Sequence, residues 1–337
     1  MKVTYFYRSL KCGYSIKKVF NTVSNQIRKT HDTRQYYVPH HRADVISVLR
    51  NILFVFKYRD RRGINHITGD IHYCALALIC FKLVLTIHDL SPLICAKNPV
   101  KRFALELFWF KLPLLIADKV VCISEHTKKE LLKITKRKDI EVIHNAIDPA
   151  FSISLKKFNK HKPVILQIGT AWNKNLLNIV KAITSVESHL VIIGLTNDSV
   201  LKLLKENNIS FTLKTNVTDA ELVQEYYKCD IVSFCSLYEG FGMPIIEGNA
   251  IGRCVITSDL SPMNEIAANS ACFVEPDDVS SIKSGFMKII SDENYRNTLI
   301  NNGIVNMERF KVDNISNAYL KIYTNVHNTR SGLLLCC

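Results

Sequence analysis

The sequence predicts an α/β protein of two domains, each a parallel sheet flanked by helices. Three observations predict it. The chain has 337 residues, and at roughly 150 residues per domain that length holds two. Strand-like and helix-like segments alternate from end to end, which is the pattern of parallel strands joined by helical crossovers. The alternation breaks at a polar, Lys-rich stretch, Ser152 to Lys162, and restarts at Pro163. The expected division is therefore a first domain over 1–150, a linker over 151–162, a second domain over 163–310, and a C-terminal helix and tail over 311–337 with the option of returning to the first domain.

Each element follows from its residues. Val3 to Tyr7 reads as a first strand, Lys11 to Ser15 as a turn, and a helix follows to about Lys29. Asp44 to Tyr58 reads as a helix, with a strand starting late in it as the alternative. Gly63 to Thr68 is a short strand, Tyr73 to Phe81 a helix, and Leu83 to Ile87 a buried strand rich in branched residues. Val100 to Ile116 is a helix and Lys119 to Ile123 a strand, with Ser124 placed to cap the helix Glu125 to Ile134. Glu141 to Ile143 is a short strand. Beyond Pro163 the strands are Val164 to Ile168, Leu190 to Ile193, Ile231 to Phe234 and Cys254 to Thr257. The helices are Leu176 to Thr184, Val200 to Glu206, Asp219 to Lys228 and one starting at Pro244, with more from Val279 to Tyr323. No repeat at solenoid periods is visible.

Composition bounds the function. At 47% hydrophobic and 22% charged residues the chain is an ordinary globular one. Its net charge of +14 is lopsided: residues 1–150 hold 26 Lys+Arg against 12 Asp+Glu, and residues 151–337 hold 18 against 18. All of the excess lies in the first half. That points to an anionic partner there, whether membrane phospholipid, a phosphorylated acceptor or nucleic acid, with a merely solvated basic surface as the alternative.

None of the 11 cysteines forms a Cys-x-x-Cys pair or a zinc-spaced cluster. Cys74, Cys80, Cys122 and Cys235 sit in apolar runs and read as small buried hydrophobes. Met1 runs directly into a strand-like VTYFY without an apolar signal region, so a reducing cytoplasm is expected. The terminal Cys336-Cys337 reads as a tail without function, a lipidation signal being the alternative. The most apolar stretch, Cys74 to Ile87, carries Lys82 and is shorter than the roughly 20 residues a membrane span needs.

The segment that carries most chemistry is YEGFGMPIIE, Tyr238 to Glu247. Gly240 and Gly242 let the backbone turn tightly and approach a ligand. Pro244 suits the first turn of a helix, where a missing N–H costs nothing. The N–H groups around Phe241, Gly242 and Met243 then point out of a helix start, an anion site suited to a diphosphate. Glu247, one turn in, can accept from two ribose hydroxyls, and Glu239, before the turn, from sugar hydroxyls near a reacting carbon. On spacing alone an ordinary strand–turn–helix with structural glycines fits equally well. His88 in LTIHDL follows a buried strand at its carboxyl end, where open α/β sheets bind ligands. His66 and Asp70 in NHITGD also follow a strand.

Tyr238 to Glu247 resembles the glutamate–seven–glutamate motif of retaining glycosyltransferase family four. The resemblance extends in order through VVCISEHTKKELL, HNAIDPAF, VILQIGTAWNKN, AELVQEYYKCDIVSFCS, SPMNEIA and EPDD, over most of residues 80–325. It implies the GT-B fold: two Rossmann-like β/α/β domains facing across a cleft, the first on the acceptor side and the second binding a nucleotide-sugar donor. It implies roles for single positions. Lys174 matches a basic residue that contacts the donor diphosphate, with a plain surface lysine as the alternative. His88 matches a histidine that faces the transferred sugar, and Glu239, His88 and Lys174 form the implied catalytic set. Gly13, Val217, Gly240, Phe241, Gly242, Met243 and Glu247 join Lys174 and Glu239 on the donor, the base resting near Asn216-Val217. His66 and Asp70 fall to the acceptor side, an interior role being equally open.

The sequence also departs from the family. Thr170-Ala171 stands where a second basic residue is common, so the diphosphate grip rests on Lys174 and backbone N–H groups. The first loop, Arg8 to Ser15, has only Gly13 where a paired-glycine turn is usual, and Cys254 stands where a proline is common. There is no Asp-x-Asp pair to hold a divalent ion between phosphates, so a cofactor-free, metal-independent transfer is expected, to a glycan or lipid-linked acceptor in cell-surface polysaccharide synthesis. Helix Val100 to Ile116, with Lys101, Arg102 and Lys111 flanking Phe103, Leu107, Phe108, Trp109 and Phe110, is expected to rest on an anionic membrane face; packing against the sheet is the alternative. Two rival functions remain: a basic nucleic-acid-binding protein, for which no recognition motif is present, and another sugar-nucleotide enzyme on the same fold, such as an epimerase.

Overall fold

The computed structural model describes residues 1–11 and 15–329. Gly13 and the Cys336-Cys337 pair lie outside the described residues. The chain divides into two compact units, Met1–Asp148 with Lys311–Cys337, and Pro149–Phe310.

Unit 1 runs β1 (Lys2–Tyr7), α1 (Ser15–Arg28), β2 (Asp32–Tyr37), α2 (Val45–Tyr58), β3 (Ile64–Ile67), a 3₁₀ turn (His72–Leu78), β4 (Leu83–Ile87), α3 (Ser91–Ile94), α4 (Pro99–Leu105), a π-helical turn (Glu106–Lys111), α5 (Leu112–Ile116), β5 (Lys119–Cys122), α6 (Glu125–Leu132) and β6 (Ile140–Val142). Its six strands are parallel in the order β2-β1-β3-β4-β5-β6. Strands such as β4 are buried along their whole length because helices cover both faces.

Unit 2 runs β7 (Val164–Ile168), a 3₁₀ turn (Trp172–Lys174), α7 (Leu176–Ala182), β8 (His189–Ile193), α8 (Asp198–Glu206), β9 (Ser210–Lys214), α9 (Asp219–Lys228), β10 (Ile231–Phe234), α10 (Met243–Ala250), β11 (Cys254–Ser258), α11 (Met263–Ala267), β12 (Cys272–Val274), α12 (Val279–Ser291) and α13 (Glu293–Asn306). Its sheet is again six parallel strands, in the order β12-β11-β10-β7-β8-β9. The last helix, α14 (Val312–Asn328), belongs to unit 1, where Tyr319 and Tyr323 reach the Thr86 and His66 side chains.

Several expectations are corrected. Strands β2, β9 and β12 carry no sequence signal, and each is a sheet edge. An edge strand is half-covered, so it lacks the apolar run of a central one: β2 is DTRQYY and β9 is SFTLK. Asp44 to Tyr58 is helical to its end, Asp44 capping it by accepting from Ser47 N–H at 3.0 Å.

The expected helix Val100 to Ile116 is interrupted by the π-helical turn. Pro113 has no N–H for the carbonyl of Trp109 four residues back, and its ring crowds that position. The freed carbonyl is taken by His72, Nδ1 at 3.1 Å. The stretch read as a linker is fastened to unit 2: Lys156 pairs with Asp230 at 2.9 Å, and Phe158 packs on that unit's core. Cys74, Cys122 and Cys235 are free and buried. Cys80, expected to be buried, is half-buried at a positive φ.

Candidate active site

In unit 2 the strand order reverses between β7 and β10, and a parallel sheet opens a crevice at the carboxyl ends of such a pair. Lys174 lies on the 3₁₀ turn after β7, and Glu239 on the loop after β10. Gly169 sits at φ +83°, where a Cβ would come within 3.2 Å of the Lys174 side-chain carbons. The lysine stem therefore crosses a position that only glycine leaves open. Its ammonium ends 2.6 Å from Glu239 Oε1 and 4.8 Å from the centroid of the Phe234 ring.

Asn173 joins the two loops. Its Nδ2 donates to the Tyr238 carbonyl at 2.9 Å and to Glu239 Oε1 at 3.2 Å, and its own carbonyl accepts from Leu237 N–H at 2.8 Å. Beyond Glu239 the chain turns at Gly242, φ +124°, into α10 with Pro244 in its first turn. At the opening of α10 Pro244 has no N–H and Ile245 donates to the Gly242 carbonyl at 3.0 Å, so it is the Met243 N–H that has no carbonyl within the helix to donate to. Phe241 is buried and meets Phe310 edge-on at 5.9 Å, so its ring belongs to the core and only its backbone faces the turn. Gly240 and Met243 are half-buried beside it.

Glu247 lies further along α10 and is 6% exposed. It accepts a hydrogen bond from the hydroxyl of Tyr226 on α9. Burial, then the Glu247 charge, push the Tyr226 phenol far above its ordinary range, so it stays a donor. Val217 and Asn216 line a recess of about 510 Å³ at the carboxyl end of β9, with Leu213 and Gln224; Glu225 bridges Lys214 and Lys228 at 2.9 and 3.0 Å beside it.

Unit 1 reverses strand order between β1 and β3. After these strands Arg8 and Asp70 form an ion pair across the reversal, Asp70 at φ 54°. His88, after β4, is buried and donates Nε2–H to the Thr68 carbonyl at 2.7 Å, which leaves Nδ1 as the unprotonated nitrogen. A Cβ on Gly69 would lie 2.5 Å from the His88 ring, so the glycine admits the imidazole. Burial holds His88 below its usual pKa, with Asp70 opposing, and keeps it neutral.

His66 is corrected: it is wholly inside, with Nδ1 2.7 Å from the Tyr323 hydroxyl and Nε2 2.8 Å from Thr86 Oγ1. Both nitrogens are used and no face is left for an acceptor. Nothing in the sequence marks Arg8, Asn173 or Tyr226. Asn173 could have been found from its place beside Lys174, whereas Tyr226 shows its role only when α9 packs against α10.

Residues 151–305 match the family described as glycosyl transferases group 1, and residues 22–151 match glycosyltransferase family 4. The chain is a glycosyltransferase. It is similar to an uncharacterized glycosyltransferase of Methanocaldococcus jannaschii, 26% identical over 273 residues, 74% of this chain and 71% of that protein. It is similar to an O-antigen chain mannosyltransferase of Salmonella typhimurium, 27% identical over 216 residues, 61% of this chain and 60% of that protein. In fold the glycosyltransferase resembles Anabaena HepE, solved in complex with UDP and glucose, with a TM-score of 0.76, 14% identity, and coverage of 96% of this chain and 100% of that one. The fold is α/β with two six-stranded parallel sheets and GT-B neighbours.

Proposed function

We propose that this glycosyltransferase moves a hexosyl group from a nucleotide-diphosphate sugar, held by unit 2, to a glycan or lipid-linked acceptor in polysaccharide synthesis, retaining anomeric configuration and using no metal ion. The reading rests on one observation: Lys174, Glu239 and the start of α10 meet at the strand reversal of unit 2. A diphosphate there meets a cation and helix N–H groups, and a sugar beside it meets a carboxylate. The Salmonella relative's activity, mannosyl transfer to an O-antigen chain, supports the substrate class.

The chemistry follows from charge. As the bond from the anomeric carbon to the diphosphate breaks, negative charge grows on the leaving phosphate. A fixed cation and preoriented N–H groups stabilise that charge more than they stabilise the bound donor. Glu239 accepts from sugar hydroxyls and Glu247 from the ribose, its orientation held by Tyr226. Neutral His88 offers Nδ1 as an acceptor. The attacking hydroxyl's proton passes to a departing phosphate oxygen, so no separate base is required.

The test is calorimetric titration with a panel of nucleoside diphosphates, followed by an assay of their release from the matching donor. Binding of one of them, with release that requires acceptor, is expected; binding of none overturns the reading. Acceptor-dependent release also separates transfer from epimerisation.

The basic half is proposed to meet an anionic membrane face. Val100, Phe103, Phe108 and Leu115 are exposed, as are Lys101 and Arg102, while Phe110 is buried and Trp109 donates Nε1–H to the Asp70 carbonyl at 3.2 Å. That segment divides its aromatics between core and surface. Among the described residues no helix is long and apolar enough to cross a membrane.

A further inference from the structure

Helix α2 is apolar on two sides. It turns Ser47, Asn51 and Val55 inward, with Val48, Ile52 and Phe54 packed on the unit 1 core beside them. It turns Ile46, Leu49, Leu53 and Phe56 outward, and these are 63%, 54%, 66% and 49% exposed. The spacing is 3, 4 and 3, one continuous stripe. Its inward polar residue is satisfied: Asn51 donates to the His40 carbonyl at 2.9 Å and to the Tyr73 hydroxyl at 2.8 Å, and accepts from His40 N–H at 3.1 Å. The inward face is thus complete, and a second apolar face is left to water. Arg50 and Lys57 are exposed at positions that fall between the stripe's residues.

At the end of α2 lies an open recess of about 550 Å³ that the transfer chemistry does not use. Arg34, Arg59, Arg61 and Arg62 line it. Lys2 and Asp60 line it too, but they neutralise each other at 2.6 Å, and Asp60 also accepts from the backbone N–H of Arg62 and Gly63. Among the described residues the guanidinium groups of Arg61 and Arg62 have no hydrogen-bond or ion-pair partner. Thr4, 1% exposed, also lines the recess, and its Oγ1 has no hydrogen-bond partner; neither has Arg59 Nε. Arg59 donates its terminal N–H to the Phe56 carbonyl, and the buried Thr4 hydroxyl with the guanidinium groups of Arg61 and Arg62 remains a donor set suited to an oxyanion. The recess is continuous with the apolar stripe through Arg59, whose guanidinium stacks 3.5 Å from the Phe56 ring centroid and 4.6 Å from that of Phe81.

We propose that the α2 stripe and this recess form one docking site for an anionic phospholipid surface, the stripe entering the acyl boundary and the recess holding a lipid phosphate. Apolar side chains interleaved with cations suit the interface of such a membrane, and a bare apolar stripe alone would not select it. The topology makes the site useful. Parallel β2 and β3 require α2 to run from the carboxyl end of the unit 1 sheet to its amino end, where Lys2 and Gly63 frame the recess. A membrane along α2 therefore also lies beside the carboxyl-end loops of unit 1, where an acceptor carried by the membrane would arrive. The inference rests on the membrane clause of the proposed function and not on its chemistry.

The test is flotation of the full chain with phosphatidylglycerol–phosphatidylcholine vesicles and with pure phosphatidylcholine vesicles, for wild type, L49E/L53E and R61S/R62S. All four positions are exposed, and unchanged thermal midpoints and nucleoside-diphosphate binding confirm that each variant is folded. Wild type is expected to bind the anionic vesicles about tenfold better than the neutral ones. L49E/L53E should lose about tenfold on the anionic vesicles, and R61S/R62S should lose most of the preference for them.

If wild type binds but both variants bind as well, α2 is not the surface, though the membrane reading survives. If wild type floats with neither vesicle, both fall. A wild-type dimer that L49E/L53E converts to monomer, seen by sedimentation equilibrium, makes the stripe a self-interface and overturns the proposal. So does inorganic phosphate that stabilises wild type but not R61S/R62S when no vesicle binds, which would make the recess a site for a soluble anion.

Discussion

Lys174 Nζ lies 2.6 Å from Glu239 Oε1, a pair formed between loops that leave neighbouring strands of unit 2. Both groups are mostly sheltered, with 22% and 14% of their side chains exposed. Without a donor the pair satisfies itself. In the proposed reading a diphosphate would compete for the ammonium and free the carboxylate toward the sugar, so that one event would prepare both groups.

Lys174→Ala is expected to lower turnover about a hundredfold or more, since the charge it opposes is largest in the transition state. Donor affinity should fall less, because removing Lys174 also frees Glu239. Steady-state kinetics with the cognate donor checks this, and turnover within about threefold of wild type would make Lys174 a bystander.

Tyr226 and Glu247 form a buried pair between α9 and α10. Glu247→Ala should weaken donor binding by roughly 1.5–3 kcal/mol, the cost of losing a charged acceptor. Tyr226→Phe keeps the carboxylate but removes its orienting donor, so a smaller loss in the same direction is expected. Calorimetric titration reads both; full affinity in the alanine variant would remove Glu247 from the donor site.

Arg253 is 3% exposed and donates to the carbonyls of Ser154, Tyr227, Cys229, Ile251 and Gly252 at 2.6–3.3 Å. It ties the entering chain to the ends of α9 and α10. Arg253→Ala leaves several buried carbonyls unpaired, at about 1–3 kcal/mol each, so a loss of about 3 kcal/mol or more is expected in denaturant unfolding. Arg253→Lys, which lacks the planar fork, should restore only part. Wild-type stability in the alanine variant would show that water replaces the guanidinium.

The sequence shows what local chemistry carries and hides what packing decides. The Glu239–Glu247 turn, the capped helices and the central strands are legible because Gly, Pro, capping residues and branched runs act within a few positions. Edge strands β2 and β9 are not legible, since their pairing comes from neighbours rather than from their own residues. His66 shows the limit at a site. NHITGD places it after a strand beside Asp70, yet Asp70 ends at the surface and His66 inside, because α14 returns from more than 240 positions away to put Tyr323 on its ring. The exposed face of α2 is equally hidden, since a helix apolar on two sides does not show in its sequence which side is packed.

Three histidines of unit 1 give the fold a pH dependence. Burial drives His66 down to about 3 and His72 to about 4, and lowers His88 as well. All are neutral in the fold, whereas in the unfolded chain each takes a proton below about pH 6.5. The unfolded state therefore binds more protons as pH falls, so stability is full above about 6.5 and declines below it. Each histidine contributes a slope of at most about 1.4 kcal/mol per pH unit. Carboxylates such as Asp60 and Asp139, held below their usual range, add their loss only at lower pH. Urea unfolding at about pH 7.5 and about pH 5 should show a clear fall in stability; equal stability at the two would mean that these rings meet water in the fold.

The last prediction concerns metal ions. The leaving diphosphate needs its growing charge opposed, and a divalent cation held by carboxylates is one solution. In the proposed reading the opposing cation is Lys174, whose stem passes close to Gly169 and whose ammonium ends at Glu239. If a fixed ammonium and helix N–H groups do that work without an ion, as proposed, EDTA should leave turnover within about twofold of the untreated enzyme. The lysine variant sharpens the test. If Lys174 takes the place of a metal, Lys174→Ala should become responsive to added magnesium, which neutralises the phosphates from solution, while wild type should not. Wild-type turnover abolished by EDTA and restored by a divalent ion would show instead that the enzyme recruits a cation, and that Lys174 serves mainly to hold Glu239.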